Sequence, residues 1–215
     1  MSIEDHWPLF HIRIKTPSLE LRLPTDDDIV ALADLVIAGI HDPATMPFTT
    51  EFTDEPSPGL ERNSLRYWWG CRANFSAATW DLPFAVVRDG TIVGVQNLTA
   101  SRFPELRTAE TGSWLGRAHQ GQGIGTEMRH AVLHFGFETL DARAVTSLAY
   151  ADNEPSNRVS IASGYEPNGI MFEMRRGERA EQNRYLMTRQ RWEDTASDAP
   201  VSVEGFDTCR EMFGL

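Results

Sequence analysis

The sequence predicts a single mixed α/β domain built around one central, mostly antiparallel sheet of six or seven strands. Two observations predict this class. Segments with period-two hydrophobic alternation are interspersed with segments whose apolar residues recur at helical spacing. Their order is strand, two helices, three antiparallel strands, helix, strand, helix and a final strand pair. A chain of 215 residues is long enough for one such domain to bury a substantial core, with about four helices flanking the sheet.

The first half of the chain contributes one strand and two helices. Ser18–Leu23 alternates apolar and polar residues, as a half-buried strand does. Helical spacing follows from about Asp26 to Gly39 and again from Leu60 to about Phe75. Between these helices, His41 to Gly59 is rich in proline and acidic residues. A long irregular stretch inside a compact domain is often a binding loop, and we expect one here.

The second half begins with the clearest hairpin. Phe84–Arg88 and Thr91–Leu98 flank Asp89-Gly90, a favoured two-residue turn. A third strand, Ala109–Leu115, leads through a glycine-rich loop into a helix from about Ile124 to Leu140. The remaining elements are a strand, a helix and two last strands, predicted over residues 144–150, 153–163, 165–174 and 183–189.

The predicted domain spans residues 18–191. Residues 1–17 form an N-terminal extension, and residues 192–215 form an acidic tail of doubtful order. The first residues lack a basic segment followed by an apolar stretch, so no signal peptide is expected. No apolar run approaches the length of a membrane span.

Charge and cysteine content narrow the class of function. The formal net charge is -11, from 31 acidic against 20 basic residues, which argues against a nucleic-acid partner. Such a surface is compatible with cationic or neutral acceptors. Cys71 and Cys209 lie far apart without CxxC spacing, and no HExxH-type pattern occurs. We therefore expect a cytoplasmic protein without a disulfide framework, metal site, membrane partner or nucleic-acid partner.

The most informative stretch is the loop Gly116–Gly125. Its glycines let the backbone approach a ligand closely, and the first turn of the helix that follows has unpaired N–H groups that attract phosphate. A P-loop would require lysine after the last glycine, where Thr126 stands. Thr126 also occupies the position at which a dinucleotide-binding fingerprint needs glycine. A glycine-rich connection without a ligand is the remaining alternative.

At these residues the chain resembles a known family. Gln120-Gly-Gln-Gly-Ile-Gly125 is similar to the pyrophosphate-binding signature Q/R-x-x-G-x-G/A of the GNAT acetyltransferase superfamily. Glu110–Leu115, Asn153–Ser156 and Gly164-Tyr165 resemble the branch that acetylates N-terminal amines of ribosomal proteins. The resemblance covers Leu19 to Arg191. It implies a GNAT fold whose sheet splays at the cofactor cleft, acetyl-CoA as the cofactor, and a homodimer.

The resemblance also implies which residues bind the cofactor. Asn153 would bond the pantetheine arm, although a helix N-cap explains it equally well. Arg158 would neutralise the 3′-phosphate or would be a solvated helix charge. The full predicted set is Trp114, Leu115, Arg117, Gln120, Gly121, Gln122, Gly123, Ile124, Gly125, Thr126, Asn153, Ser156 and Arg158.

Catalysis by direct transfer requires an unprotonated amine, so a general base is needed within reach. Glu110 is the first candidate because it lies on the strand that enters the loop, on the same face as Gly112. Glu173 on a late strand is the second. A surface carboxylate is the alternative for each.

For the departing thiolate, Ser156 resembles a proton donor of the ribosomal-protein branch. Tyr150 and Tyr165 are rivals, with core packing as their alternative role. Neither cysteine has an adjacent base that would support a covalent intermediate, so a ternary complex is predicted.

The acceptor remains open between a small-molecule amine and a peptide N-terminus. Five aromatic residues would form either the wall of an acceptor pocket or part of the core: Trp68, Trp69, Phe75, Trp80 and Phe84. Two other functions remain open, namely an acyl-CoA-binding module without turnover and a transferase of a longer acyl group such as succinyl.

Overall fold

The computed structural model describes residues 1–215 and contains one nine-stranded sheet. The strands are β1 (Arg13–Lys15), β2 (Glu20–Arg22), β3 (Thr79–Arg88), β4 (Thr91–Ser101), β5 (Thr108–Leu115), β6 (Ala144–Tyr150), β7 (Glu166–Arg175), β8 (Glu178–Thr188) and β9 (Ser202–Glu204). Their spatial order is β7-β8-β6-β5-β4-β3-β2-β1-β9. Every neighbouring pair is antiparallel except β5 and β6. The mixed, mostly antiparallel fold class is confirmed, with more strands than expected.

Seven helices accompany the sheet. They are α1 (Ile3–His6), α2 (Asp26–Ala38), α3 (Gly59–Ala73), α4 (Phe103–Leu106), α5 (Ile124–His134), α6 (Glu154–Ala162) and α7 (Arg189–Thr195). The four longest are the four that the sequence predicts. A π-helical turn, Phe135–Thr139, continues α5 over the rest of its predicted length. None of the helices has the length and apolar character that crossing a membrane requires.

The parallel pair β5 and β6 is joined over only half its length. Residues 108–111 of β5 pair with residues 144–147 of β6, and the pairing ends there. Beyond that point β5 stays with β4 as far as Leu115, while β6 stays with β8 as far as Tyr150. The two strands therefore diverge, which confirms the predicted splay. We call the opening between residues 112–115 and 148–150 the fork, and the last pair, Thr111 and Ser147, its vertex.

Both ends of the chain belong to the folded unit. β1 and β9 form the far edge of the sheet, with Ile14 opposite Val203. Ile14 and Phe213 are fully buried, and residues from Leu9 to Phe213 share one hydrophobic cluster. We call residues 202–213 the C-terminal clasp. The prediction that residues 192–215 form a tail of doubtful order is wrong. Apolar residues dispersed among the acidic ones pack together against the sheet.

The hairpin of β7 and β8 is longer than predicted. The polar stretch 175–182, which lies between the two predicted strands, is mostly strand, and the turn itself is Arg176-Gly177 with φ of 50° and 80°. Most side chains of β7 are exposed on both faces. An edge strand of this kind lacks the hydrophobic alternation by which strands are recognised.

Residues 41–59, predicted to be a binding loop, connect α2 to α3, whose first residue is Gly59, and contact the β7–β8 turn. Arg176 in that turn holds them through Asp54, with Nη2–Oδ1 at 2.6 Å and Nε–Oδ2 at 2.8 Å. Arg176 Nη2 also donates to the carbonyl of Pro43 at 3.1 Å. Arg176 therefore holds the segment near both of its ends, and the β7–β8 turn lies at the same end of the strands as the fork.

Candidate active site

Three of the four glycines in the loop have distinct structural roles. Gly121 and Gly123 have φ of 70° and 82°, a region that L-residues rarely adopt, and Gly123 is the N-cap of α5. A Cβ on either would meet no atom within 4 Å, so the space in front of them is open. Gly125 instead allows close packing, since its Cβ would lie 3.3 Å from Val159 of α6.

The loop presents a row of unpaired amides. Five consecutive N–H groups, those of residues 121–125, donate to no acceptor in the protein, whereas Thr126 and Glu127 both donate to the carbonyl of Gly123. We call these five amides the amide nest. They surround the N-terminus of α5, where the helix dipole is positive. Such a group fits an anion the size of a diphosphate.

Side chains of the loop hold its shape. Gln120 Nε2 donates to the carbonyls of Ile40 at 2.8 Å and Leu115 at 2.9 Å. Gln122 Nε2 donates to the carbonyl of Ala118 at 2.9 Å, and Gln122 Oε1 accepts from Arg88 at 2.9 Å. Both glutamines, predicted as cofactor residues, therefore act here as supports of the loop. Arg117 is exposed beside them.

The strand leading into the loop has one free edge. Trp114 and Leu115 pair with Val95 and Gly94 of β4, and their other edge faces the fork without a strand partner. Leu115 is buried, and Trp114 packs against the cluster formed with α2 and α3. Main-chain groups along this edge are thus available to an extended ligand arm. Buried Ile124 fixes the start of α5 in the core.

The opposite side of the fork begins at α6. Asn153 is its N-cap, with Oδ1 accepting from the amide of Ser156 at 3.3 Å. Arg158 is exposed and pairs with Glu154 at 3.1 Å. In the structure Asn153 caps the helix and Arg158 is an exposed helix charge, and their contacts with the cofactor stay predictions. Ser156 is half-buried at the start of the same helix.

A groove of about 700 Å³ lies between α3 and the sheet. We call it the α3-side groove. Its floor contains a polar row of residues that stand directly opposite one another on four successive strands: Asp81, Thr99, Glu110 and Thr146. Because this row ends one residue before the vertex on both β5 and β6, the groove adjoins the fork.

Asp81 is a carboxylate in this groove without a basic partner. It accepts hydrogen bonds from Tyr67 Oη at 2.9 Å and Asn97 Nδ2 at 3.3 Å. Burial raises the pKa of its carboxyl group above the ordinary value, and the hydrogen bond from Tyr67 opposes that change. Burial and the nearby charge of Asp81 raise the pKa of the Cys71 thiol to about 12. Sequence reasoning missed Asp81; a polar residue between buried Trp80 and Leu82 is the signal.

Glu110, the first candidate for the general base, lies beside the vertex. It is exposed, accepts from Thr146 Oγ1 at 3.3 Å, and lies in the floor of the groove next to the vertex. Strand alternation places it on the same face as Gly112 and Trp114. Glu173 lies on the edge strand β7, separated from β5 by β8 and β6. The structure therefore brings Glu110, and not Glu173, to the vertex.

The face of the vertex opposite the groove contains a buried polar cluster. Tyr165 is buried, and its hydroxyl lies 2.8 Å from Thr111 Oγ1. Burial raises the pKa of the Tyr165 phenol. Arg129 of α5 reaches the same place, bonding Ser113 and Ser147 on the two diverging strands. Sequence reasoning missed Arg129.

Tyr150 ends β6 on the other arm of the fork. It is fully buried and its hydroxyl has no hydrogen-bond partner. The Arg175 guanidinium lies 4.4 Å from the centre of its ring. Of the three predicted proton donors, Tyr165 is the one at the vertex.

The aromatic residues of the predicted pocket wall are mostly core. Trp68 and Phe84 are buried in the two hydrophobic clusters, while Trp69 is exposed on α3. Phe75 packs against Phe213. Trp80 contributes to the groove.

Comparison with known proteins agrees with this geometry. The acetyltransferase (GNAT) domain family matches residues 18–166. A ribosomal-protein-serine acetyltransferase of Escherichia coli (strain K12) is 30% identical over 89 residues, which is 41% of this chain and 49% of that relative. The aligned segment thus spans about half the length of this curated relative.

Solved structures share the fold. RimJ of Mycobacterium smegmatis in complex with CoA-disulfide has a TM-score of 0.70 at 19% identity, covering 87% of this chain and 95% of that one. RimL, a ribosomal L7/L12 alpha-N-protein acetyltransferase in complex with coenzyme A, has a TM-score of 0.65 at 20% identity, covering 80% and 95%. The family match covers most of this chain, and the structure contains the amide nest and the fork. The chain therefore belongs to the GNAT acetyltransferase family.

Proposed function

We propose that the protein is an acetyl-CoA-dependent N-acetyltransferase that transfers acetyl directly to a primary amine. One observation carries the proposal. The free edge of β5 runs from the amide nest to the vertex. Glu110 is the residue that precedes the vertex on β5, and it faces the α3-side groove. An anion-binding loop and a general base are thus separated only by the fork.

Residues on the loop side would hold the donor. The amide nest binds the diphosphate of coenzyme A, and the free edge of residues 112–115 binds its extended arm. When bound, coenzyme A supplies an acetyl group activated as a thioester. A main-chain N–H on that edge stabilises the negative charge that develops on the acetyl oxygen during transfer.

Residues of the α3-side groove would receive the acceptor. Glu110 accepts a proton from the ammonium group, directly or through one water, and so exposes the nitrogen lone pair. Asp81 adds a second carboxylate to the same groove, which favours a cationic acceptor. The names of the relatives point to a peptide N-terminus as the acceptor. A small-molecule amine is the other class to test.

Transfer proceeds without an acetylated enzyme. A nucleophilic cysteine needs a low pKa, since the thiolate is the reactive form. Burial raises the pKa of Cys71 to about 12 and that of Cys209 to about 11. Both thiols are therefore protonated near neutral pH. Intact-mass analysis after incubation with acetyl-CoA alone should show no acetyl adduct.

A thiol-release assay tests the function. Acetyl-CoA is offered with a panel of short peptides, aminoglycosides and simple amines, and succinyl-CoA is offered with the same panel. Release with acetyl-CoA and a peptide supports the proposal in full. Faster release with succinyl-CoA favours the longer-acyl alternative. Calorimetric binding of coenzyme A without any turnover would identify a binding module instead.

The expected cytoplasmic location and the expected homodimer stay predictions. Light scattering of the purified protein at micromolar concentration measures the oligomeric state directly.

A further inference from the structure

Arg129 is an exceptional arginine in this chain. It is only 2% exposed, yet it forms no salt bridge. Arg22, Arg175 and Arg176 are more exposed, and each pairs with an aspartate. A buried guanidinium without a counter-ion is unfavourable for folding unless its hydrogen bonds compensate. Stability alone therefore does not account for it.

The partners of Arg129 are neutral and lie around the vertex. Its Nη1 donates to Ser147 Oγ at 3.1 Å, and its Nη2 donates to Ser113 Oγ at 3.2 Å. Nε lies 3.5 Å from Gln96 Oε1, and the guanidinium lies 5.8 Å from the ring centre of Tyr165. A guanidinium has five N–H donors, so two remain without an acceptor.

The position of the charge is as informative as its burial. Ser147 belongs to the last pair before the strands separate, and Ser113 is the second residue beyond it on β5. Arg129 thus bridges both arms of the fork where they begin to part. It does so from the α5 side, whereas Glu110 faces the α3-side groove.

We propose that Arg129 stabilises the electron pair that arrives on the coenzyme A sulfur during acetyl transfer. This rests on the proposed function. In the transfer the amine nitrogen forms a bond to the acetyl carbon, and the carbon–sulfur bond breaks with its electron pair going to sulfur. Glu110 first passes the proton of the ammonium group to solvent and then takes the second proton, which the nitrogen loses during the transfer; the thiolate is protonated by solvent as coenzyme A leaves. Negative charge therefore moves from the Glu110 side of the sheet toward the side where Arg129 stands.

A cation suits this position better than a proton donor does. Tyr165, the phenol at the vertex, holds its proton more tightly than usual because it is buried. Direct protonation of a thiolate by this phenol would be uphill. A fixed positive charge stabilises the thiolate without giving up a proton, and is strongest where water is excluded.

Few other ionisable groups compete at this point. On α5, Glu127 bonds to Ser18 and His130 stacks on Trp192, so both turn away from the vertex. Tyr165 contributes the phenol, and Glu110 of β5 faces the other side of the sheet. The nearest full charge on the α5 side of the vertex is therefore Arg129.

The first test measures the ionisation of bound thiol rather than turnover. Coenzyme A is bound to the protein, and the ultraviolet absorbance of the thiolate is titrated against a reference with desulfo-coenzyme A. In the wild-type complex we expect the thiol to ionise about 1 pH unit or more below free coenzyme A. Arg129→Gln should return it to the free value, and Arg129→Lys should keep part of the effect. An unshifted thiol in the wild-type complex would overturn the proposal without any variant.

The second test uses kinetics. Arg129→Gln should lower kcat roughly 100-fold, as loss of one preorganised donor does, with little change in KM for acetyl-CoA. Arg189→Gln is the matched control, because Arg189 makes a similar number of hydrogen bonds at the opposite end of β6. The proposal is refuted if Arg129→Gln lowers stability and the affinity for coenzyme A but leaves the ionisation of the bound thiol unchanged. Arg129 would then have only a structural role.

Binding separates the two levels of inference. If coenzyme A does not bind the wild-type protein in calorimetry, both the proposed function and the role of Arg129 are wrong. If it binds and its thiol ionises as in free solution, only the role of Arg129 is wrong.

Discussion

The two sides of the sheet at the fork differ in the sign of their polar groups and in how those groups are satisfied. On the α5 side stand the amide nest and Arg129, both positive and short of acceptors. On the α3 side stand Asp81 and Glu110, both acidic and without a basic partner. The sheet thus separates a side with free hydrogen-bond donors and positive charge from an acidic side, and the two sides meet at the fork.

The largest expected effect concerns the acidic side. Glu110→Gln keeps the size of the side chain and removes its basicity, so kcat should fall at least about 100-fold with a smaller change in KM. Glu178→Gln, at the start of β8, is the matched control and should leave the rate unchanged. A loss of less than about threefold in Glu110→Gln would show that another group takes the proton.

The next effect concerns the opposite side. Gly123→Ala places a Cβ on a residue with φ of 82°, which strains the backbone and turns the amides of the nest. The strain of about 1–2 kcal/mol should weaken coenzyme A binding roughly tenfold in calorimetry. Gly177→Ala introduces the same strain at φ of 80° in the β7–β8 turn. Equal affinities for coenzyme A in the two variants would show that the amide nest does not contribute to binding.

The smallest expected effect is on stability. It tests whether Asp81 stabilises or destabilises the fold. Its pKa is raised by burial, so between the unfolded and folded pKa values the native state holds a proton that the unfolded chain has released. Stability therefore falls as pH rises through that window. Asp81→Asn removes the penalty and should raise Tm at pH 7 by about 2–4 °C, the change that about 1 kcal/mol produces at this size.

The pH dependence supplies the control for that variant. The gain in Tm should vanish below the ordinary pKa of aspartate, where both states are protonated, while KM for the amine should rise at neutral pH. A variant that is less stable at every pH would show that the hydrogen bonds from Tyr67 and Asn97 matter more than the buried charge.

How much the sequence predicted also differs between the two sides. The loop contains closely spaced glycines and is followed by apolar residues at helical spacing. The sequence alone therefore predicts the positions of the nest and of α5. The groove could not, because the strand prediction begins at Phe84, after a proline. In the structure β3 starts at Thr79, and Pro83 is tolerated because β2 reaches only Ala85, leaving no partner beside it on that edge.

Arg129 and the chain ends were missed for another reason. Arg129 lies between Met128 and Val132 on the buried face of α5. Hydrophobic periodicity identifies the apolar residues of such a face and gives no sign that a polar residue is buried among them. β1 and β9 have three residues each, too few for any alternation to register. Their pairing depends on contacts between distant parts of the chain, which local periodicity does not contain.

The C-terminal clasp bears on how the protein can be shortened. The match to the family ends at Glu166 and the family resemblance at Arg191, so a truncation after Arg191 would look harmless. It would strip the outer strand from β1 and uncover the cavity that Phe206 and Phe213 fill beneath the sheet. The shortened protein should aggregate on expression. The boundary of homology lies well inside the unit that folds.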